Sequence, residues 1–567
     1  MAYSFVTLTS AEKDERRRQL NLSGEMAWVS PIIILLGVYI HRKLLRPLLS
    51  QTLPPHLLVQ WRRVSWVLGT KTSIGGTGDF GPLGVQLFGA LYLIWLLVLI
   101  FRSTGQDYMH LAKAFGHVAV SQLPLNYLLG MKSMWSPVSL ATGLSHERLN
   151  SWHRLFGRIL YALVGAHVLM YLNFFVQQNL LAKRIGDWDV LWGVVAFVAF
   201  SLLWVLSLPG IRRRWYHFVF YRSHVVLSAV VVLALWWHVP YTRVYVGLAG
   251  LVWGAGAVVR RFGASVVVNA QCEAVEGTEL VNVLLEVPRE SALATGGPGQ
   301  HLYLHAEGFG PRTPFTIAAV EYQKKGLVSV RLVVRNVGGP QTRSIADIAK
   351  SREVKELRVE GPYGGSGMSL PEMVQRRESG PVLMVAGGVG ATYIIPIYIA
   401  LVEQRRSTAG KDAMVRMIWV VRRFADASWG IEMLKGIGAE LEECGVDVYV
   451  TRGSVGFDVE MEEQRSPELT KHGVSVHKLG RRPDLEPMIE GFFPVSAGGS
   501  RVMPSSDPRL YALGEARRRQ MALEEATVFV CGPGSLANDV REVVGRQVME
   551  EGRKVKLIEE VFGFGGT

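Results

Sequence analysis

Seven stretches of this chain run for about twenty residues with almost no charge, the length needed to cross the apolar core of a bilayer as an α-helix. They cover residues 27–44, 85–102, 110–131, 152–176, 188–208, 219–239 and 243–260. The third is interrupted by Lys113, His117 and Pro124. Residues 1–26 read as a polar tail ("SAEKDERRRQL") with no cleavable leader pattern, and residues 27–262 as a helical membrane domain. From residue 263 the 567-residue chain turns into ordinary soluble α/β sequence, so more than one domain is expected.

The net charge of +13 is first explained by lysines and arginines in loops on the cytosolic side of a membrane; nucleic-acid binding is not expected. Arg212, Arg213 and Arg214 join spans five and six, Arg260 and Arg261 end the last span, and the loop 45–84 carries Arg46, Arg62, Arg63 and Lys71. These place that loop and the C-terminal half in the cytosol and the N-terminus outside, against the pull of the N-terminal "ERRR". Cys272, Cys444 and Cys531 are too scattered for a disulfide framework or a metal cluster.

Two spans carry histidines at matched spacing. "WHRLFGRILYALVGAH" holds His153 and His167, and "SHVVLSAVVVLALWWH" holds His224 and His238, with thirteen residues between the members of each pair. Fourteen residues of helix advance roughly 21 Å and return to within about 40° of the starting face. Spans four and six run in the same direction, so His153 lies level with His224 and His167 with His238. Imidazole is a good iron ligand, and two cross-helix pairs at two depths suit two six-coordinate b-type hemes. A single histidine here would read more simply as a hydrogen-bonded interior residue; four at matched spacing favour ligation. His110, His117, His146 and His217 lack that spacing. Arg154 and Arg158 would pair with heme propionates or snorkel to the interface.

Residues 263–375 contain short β-rich runs and read as a small antiparallel barrel. "GGPQTRSI" offers Gly339 and Thr342 to a diphosphate at a helix start, and "GPYGG" offers Gly361 and Gly364 for close backbone approach; ordinary turns remain the simpler reading of each alone. Residues 376–567 alternate strand and helix, the pattern of a doubly wound parallel sheet. Its first strand–turn–helix holds Gly387, Gly388, Gly390 and Thr392. Arg422, Arg481 and Arg482 follow strands, where a guanidinium meets the 2′-phosphate of NADPH or simply solvent. Ser454–Gly473 and Val495–Pro508 read as long surface loops.

Together these residues resemble the fungal ferric-chelate reductases and their NADPH oxidase relatives, from about residue 85 onward. "HRLFGR" (His153–Arg158) is similar to the heme-helix signature of that family. "RTPFTI" (Arg312, Thr313, Pro314, Phe315, Thr316, Ile317) resembles its flavin motif, with Thr313 where histidine is usual. The likeness implies that Phe315 and Thr316 lie along the flavin ring and Arg312 near its phosphates. "GGVGAT" resembles the NADPH loop, "GRRPD" a Gly-Arg-Pro-Asp element with one arginine inserted, and "CGPG" (Cys531, Gly532, Pro533, Gly534) the segment beside the nicotinamide. The tail "EEVFGFGGT" is similar to the family's terminal Glu-Glu-x-Phe-x-aromatic, which implies that Phe562 or Phe564 is the ring covering the flavin. Thr316, Cys531, Phe562 and Phe564 thus fall closest to the chemistry.

The expected architecture is an α-helical transmembrane bundle, then an antiparallel β-barrel flavin domain, then an α/β doubly wound nucleotide domain. The resemblance implies electron transfer from NADPH through FAD and two hemes to a ferric or cupric chelate, or alternatively to dioxygen. Such a protein is multi-pass in the lipid bilayer, at the plasma membrane or else the endoplasmic reticulum or vacuole, and a homo-oligomer is compatible with it. A non-enzymatic heme module or transporter is the reading of another class; the flavin and nucleotide motifs argue against it.

Overall fold

A computed structural model describes residues 3–45, 54–74, 78–131, 136–144, 146–262, 265–305, 313–323, 326–364, 380–407, 414–435, 437, 444–452, 473–493 and 525–561. The chain divides into two units, residues 1–54 with 67–263 and residues 55–66 with 264–567.

The first unit is helical. Its first helix, α1 (Ser10–Ile40), begins well before the expected span, so residues 10–26 are helix and not a polar tail. The cause is a capping box: Thr9 and Glu12 each bind the other's backbone N–H, satisfying donors that a helix start leaves open. Helix α2 (Pro55–Gly69) occupies the basic loop and is counted through Trp66 with the second unit; α3 (Leu83–Phe101), α4 (Tyr108–Ser121), α5 (Leu123–Gly130), α6 (His146–Gln177), α7 (Trp188–Leu206), α8 (Arg222–His238) and α9 (Arg243–Phe262) follow. Among the described residues, six helices are long and apolar enough to cross a membrane. The expected third span is instead the broken pair α4–α5, interrupted at Gln122, with Pro124 lacking the N–H that would continue the ladder. The Gln122 side chain occupies the break, donating to the Ala27 carbonyl of α1 at 2.9 Å and accepting from the Tyr92 hydroxyl of α3 at 2.7 Å.

Contact register fixes the relative directions of α3, α4–α5 and α6. Phe88 meets Trp152 and Tyr92 meets Phe156, so α3 and α6 run parallel. Tyr108 binds the Met170 carbonyl while the Asn126 carbonyl meets His153, so α4–α5 runs antiparallel along α6 between those two heights. Outward rows such as Ile33, Leu36, Leu91, Ile94, Leu169 and Leu251 are exposed apolar surface of the kind a bilayer solvates.

The second unit holds a barrel and a sheet. Strands β1 (Ser265–Ala274), β2 (Leu280–Pro288), β3 (His301–His305), β4 (Thr313–Tyr322), β5 (Leu327–Arg335) and β6 (Lys355–Tyr363) close in the order β1-β2-β5-β4-β3-β6, all antiparallel. Closure leaves no free edge. Inside lie Val283, Leu285, Leu302, Leu304, Val330 and Leu332, all at 0% exposure. Helix α10 (Pro340–Ser351) packs Ile345, Ile348 and Ala349 onto this core.

The sheet strands are β7 (Val382–Gly387), β8 (Val415–Val421), β9 (Cys444–Val450), β10 (Val474–Lys478), β11 (Ala526–Gly532) and β12 (Val555–Val561). They are parallel throughout, in the order β10-β9-β8-β7-β11-β12. Winding therefore reverses between β7 and β11. Helix α11 (Ala391–Ser407) packs on one face and α12 (Gly534–Met549) on the other, and two apolar clusters fill the two layers. Trp66 of α2 belongs to this unit, under the guanidinium of Arg541 at 4.9 Å.

Trp419 on β8 is the largest fully buried side chain, and its Nε1 donates to the Gly388 carbonyl at 2.9 Å. Trp419→Ala removes both the packing and that bond. We expect a loss of about 3–5 kcal/mol from the domain built on this sheet, read by urea titration followed through the remaining tryptophans.

Candidate functional site

The four spaced histidines meet as two pairs. The rings of His153 and His224 have centroids 6.0 Å apart, and those of His167 and His238 are 6.4 Å apart. Their planes cross at 65° and 77°. A first-row metal bound to two facing imidazoles, with bonds of about 2 Å and roughly 1 Å from each nitrogen to its ring centre, separates the centroids by about 6 Å. Both pairs fit. Each supplies only two ligands, which suits a metal that brings its equatorial ligands with it, as heme iron does.

Three of the rings are held by backbone. His153 Nδ1 lies 2.9 Å from the Asn126 carbonyl oxygen, His167 Nδ1 2.7 Å from that of Ala112, and His238 Nδ1 2.6 Å from that of Asp189. A carbonyl only accepts, so each Nδ1 carries the proton and each Nε2 presents its lone pair. His224 Nδ1 is buried with no hydrogen-bond partner among the described residues. Arg158 lies over the Phe80 ring at 4.3 Å, and His110 and His117 are buried outside the two pairs, His117 edge-on to Tyr245.

The flavin motif is divided by strand alternation. In the β3–β4 ladder Thr313 faces Leu304 and Phe315 faces Leu302, both core leucines, and Phe315 packs against the barrel interior. Pro314 and Thr316 face the other way, opposite Tyr303 and His301. Phe315 and Thr316 therefore point to opposite sides of β4. The outward wall is aromatic: His301 lies 5.4 Å from Tyr303 and 6.1 Å from Tyr363. These three residues escaped sequence reasoning, although the alternation in "HLYLH" carried the signal. Gly361 and Gly364 have φ of 144° and 113°, and a side chain on Gly364 would sit 3.3 Å from His301 Nδ1, so the "GPYG" turn borders this wall. Ile317 is buried in the core. Gly339 caps α10, but the Thr342 hydroxyl donates to the Gly339 carbonyl at 3.2 Å; what that helix start offers a diphosphate is its backbone N–H groups.

The nucleotide motifs converge at the reversal between β7 and β11, where open α/β sheets bind ligands. Gly387, Gly388 and Gly390 form a tight turn into α11, with Gly388 at φ 54°. A side chain on Gly390 would overlap the Cys531 carbonyl, and one on Gly387 would stand 2.8 Å from Pro533, so the two glycine-containing turns are in contact. Thr392 is buried and donates to the Val389 carbonyl at 2.9 Å. The Cys531 side chain is fully buried, and burial pushes its thiol well above the usual range, with the Glu560 carboxylate adding to it. Val561 pairs with Gly532, at the edge of this turn. Arg422 follows β8 and Arg481 and Arg482 follow β10, all exposed. Between them, after β9, stands Arg452, which no sequence motif marks; its N–H donates to the Arg422 carbonyl at 2.9 Å. Arg312, Phe562 and Phe564, and nearly all of the two long loops, lie outside the described residues.

Two family models match: a ferric reductase like transmembrane component over residues 115–235 and a ferric reductase NAD binding domain over residues 380–545. The chain belongs to the ferric reductase family. It is 26% identical to the probable cell surface ferric reductase kap2 of Aspergillus oryzae, over 62% of this chain and 49% of that protein. It is 24% identical to ferric reductase transmembrane component 6 of Saccharomyces cerevisiae, over 82% and 62%, and 21% identical to the probable metalloreductase AIM14 of Debaryomyces hansenii, over 88% and 91%. The chain thus spans about half to two-thirds of the length of the first two relatives. A flavohemoglobin from Malassezia yamatoensis aligns at TM-score 0.37 and 16% identity, over 79% of this chain and 96% of that one, a likeness too slight to add to the fold.

Gly390→Ala is expected to separate the two turns and weaken dinucleotide binding at least tenfold, about 1.4 kcal/mol. Equilibrium titration with NADPH, with circular dichroism as the control for folding, measures it.

Proposed function

We propose that this protein is an NADPH-dependent metalloreductase, moving electrons from the cytosolic side of a membrane to a ferric or cupric chelate on the other. The observation that carries this reading is the pair of histidine pairs, each at the separation an iron needs, set fourteen residues apart on two parallel helices. When bound, FAD and two b-type hemes would supply hydride acceptance and one-electron relay between the nucleotide and the acceptor. The protein's part is to place them. His153 and His224 hold the inner heme, His167 and His238 the outer one. Thr316 and Pro314, with His301, Tyr303 and Tyr363, give the flavin ring a wall, while the start of α10 and the Gly361–Gly364 turn receive its diphosphate. The turns at Gly387–Gly390 and Cys531–Gly534 hold the nucleotide's pyrophosphate and nicotinamide. Arg422, Arg452, Arg481 and Arg482 gather where the 2′-phosphate distinguishing NADPH would lie. Six long helices together with α4–α5 give seven crossings, and the name of the Aspergillus relative supports the plasma membrane.

His238→Ala should leave one heme per chain, counted by pyridine hemochrome, and abolish reduction of a chelate on the far side while NADPH still reduces flavin. Two hemes retained would remove the ligand assignment. Iron(II) formation by membranes given NADPH should be unaffected by superoxide dismutase; suppression by the enzyme would make dioxygen the acceptor.

Replacing Arg481 and Arg482 together by alanine removes charge-assisted hydrogen bonds, each contributing about 1.5–3 kcal/mol. The KM for NADPH should rise by roughly tenfold or more while that for NADH stays nearly unchanged. Equal weakening of both would point to a folding defect or a shared pyrophosphate contact.

A further inference from the structure

The three carbonyls that hold histidine rings share a neighbour. Each lies four residues before a glycine on the same helix: Ala112 before Gly116, Asn126 before Gly130, Asp189 before Gly193. In an α-helix the N–H of residue i bonds the carbonyl of residue i−4, so each carbonyl serves its glycine and the histidine together, using two lone pairs. The glycine is also what lets the ring approach. A Cβ on Gly116 would stand 2.7 Å from His167 Nδ1, one on Gly193 2.6 Å from His238 Cε1, and one on Gly130 3.2 Å from His153 Cε1. Gly116 and Gly130 are fourteen residues apart, the same separation as His153 and His167, and they face those rings in antiparallel order.

The fourth ring departs from the pattern. Helix α7 runs antiparallel to α8, with Gly193 against His238. Fourteen residues on, at the cap just past the end of α7, the register position matching His224 is Ser207 rather than glycine. Its hydroxyl donates to the Leu203 carbonyl at 2.6 Å, the acceptor four residues before it, and His224 Nδ1 has no partner among the described residues.

We propose that Gly116, Gly130 and Gly193 are positioning residues, each opening a helix carbonyl to a histidine Nδ1–H so that Nε2 is turned toward the opposite histidine. This rests on the heme reading above. A hydrogen bond to Nδ1–H makes an imidazole the more basic ligand and stabilises the oxidised metal. Both histidines of the outer pair have that bond, but among the described residues only one of the inner pair does. The outer heme therefore has the lower midpoint as far as these ligands set it.

The test is optical redox titration and heme counting on the full chain in detergent. Gly116→Ala and Gly193→Ala should each weaken heme retention at the outer site at least tenfold or raise its midpoint, leaving the inner heme, which serves as the folding control, unchanged. Gly165→Ala, on α6 with open space around it, should match the parent protein. Ser207→Gly should lower the inner midpoint alone. Two hemes in the parent with unaltered potentials and retention in both glycine variants would overturn this inference and leave the reductase reading intact. So would a variant that loses both hemes equally. A parent chain lacking two hemes would remove the reading and the inference together.

Discussion

Parallel helices cannot be joined by a short loop; something must cross back between them. His153 meets His224 and His167 meets His238 only because α6 and α8 run the same way, and α7 is the crossing that makes this possible. The same rule makes α4–α5 a full traverse, since α3 and α6 are also parallel. A helix broken at Gln122 is costly in lipid unless its freed backbone groups find partners within the bundle. The side chains at the break tie α1, α3 and α4 together. The bundle's order thus brings the four imidazoles together as two pairs.

Much of this is legible in the sequence. Fourteen-residue spacing on two apolar runs contains the pairing, because helical geometry converts it into height and face. The β-rich runs after residue 263 and the strand–glycine–helix pattern after residue 380 contain the barrel and the sheet. Other features carry signals that are easily overlooked: "TSAE" at Thr9–Glu12 is a capping box, which extends α1 through residues that look like a charged tail. The two-residue period of "HLYLH" and "TPFT" is enough to put Phe315 and Thr316 on opposite faces of their strand. What no residue identity reveals is a backbone acceptor. Ala112, Asn126 and Asp189 act through carbonyl oxygens that every residue has, and only a glycine four positions later marks them.

In the second unit, the closest backbone approach coincides with the reversal of winding. Gly390 lies so tightly against the Cys531 carbonyl that two loops from strands more than a hundred residues apart in sequence behave as one surface. Trp419 fixes that surface from below through the Gly388 carbonyl, coupling the largest fully buried side chain among the described residues to the glycine turn. The arginines, by contrast, are exposed at the ends of neighbouring strands, where substitution alters charge with little effect on packing.

The crossing of the imidazole planes, at 65° and 77°, has a magnetic consequence. Two axial ligands with parallel planes donate π-density to the same iron d orbital and split it from its partner. Planes nearly at right angles treat the two orbitals alike and leave them close in energy. Orbital angular momentum is then poorly quenched. Oxidised iron held by either pair would give a strongly anisotropic electron paramagnetic resonance signal, so the helix geometry that sets the angle between the rings would be written into the spectrum of the metal.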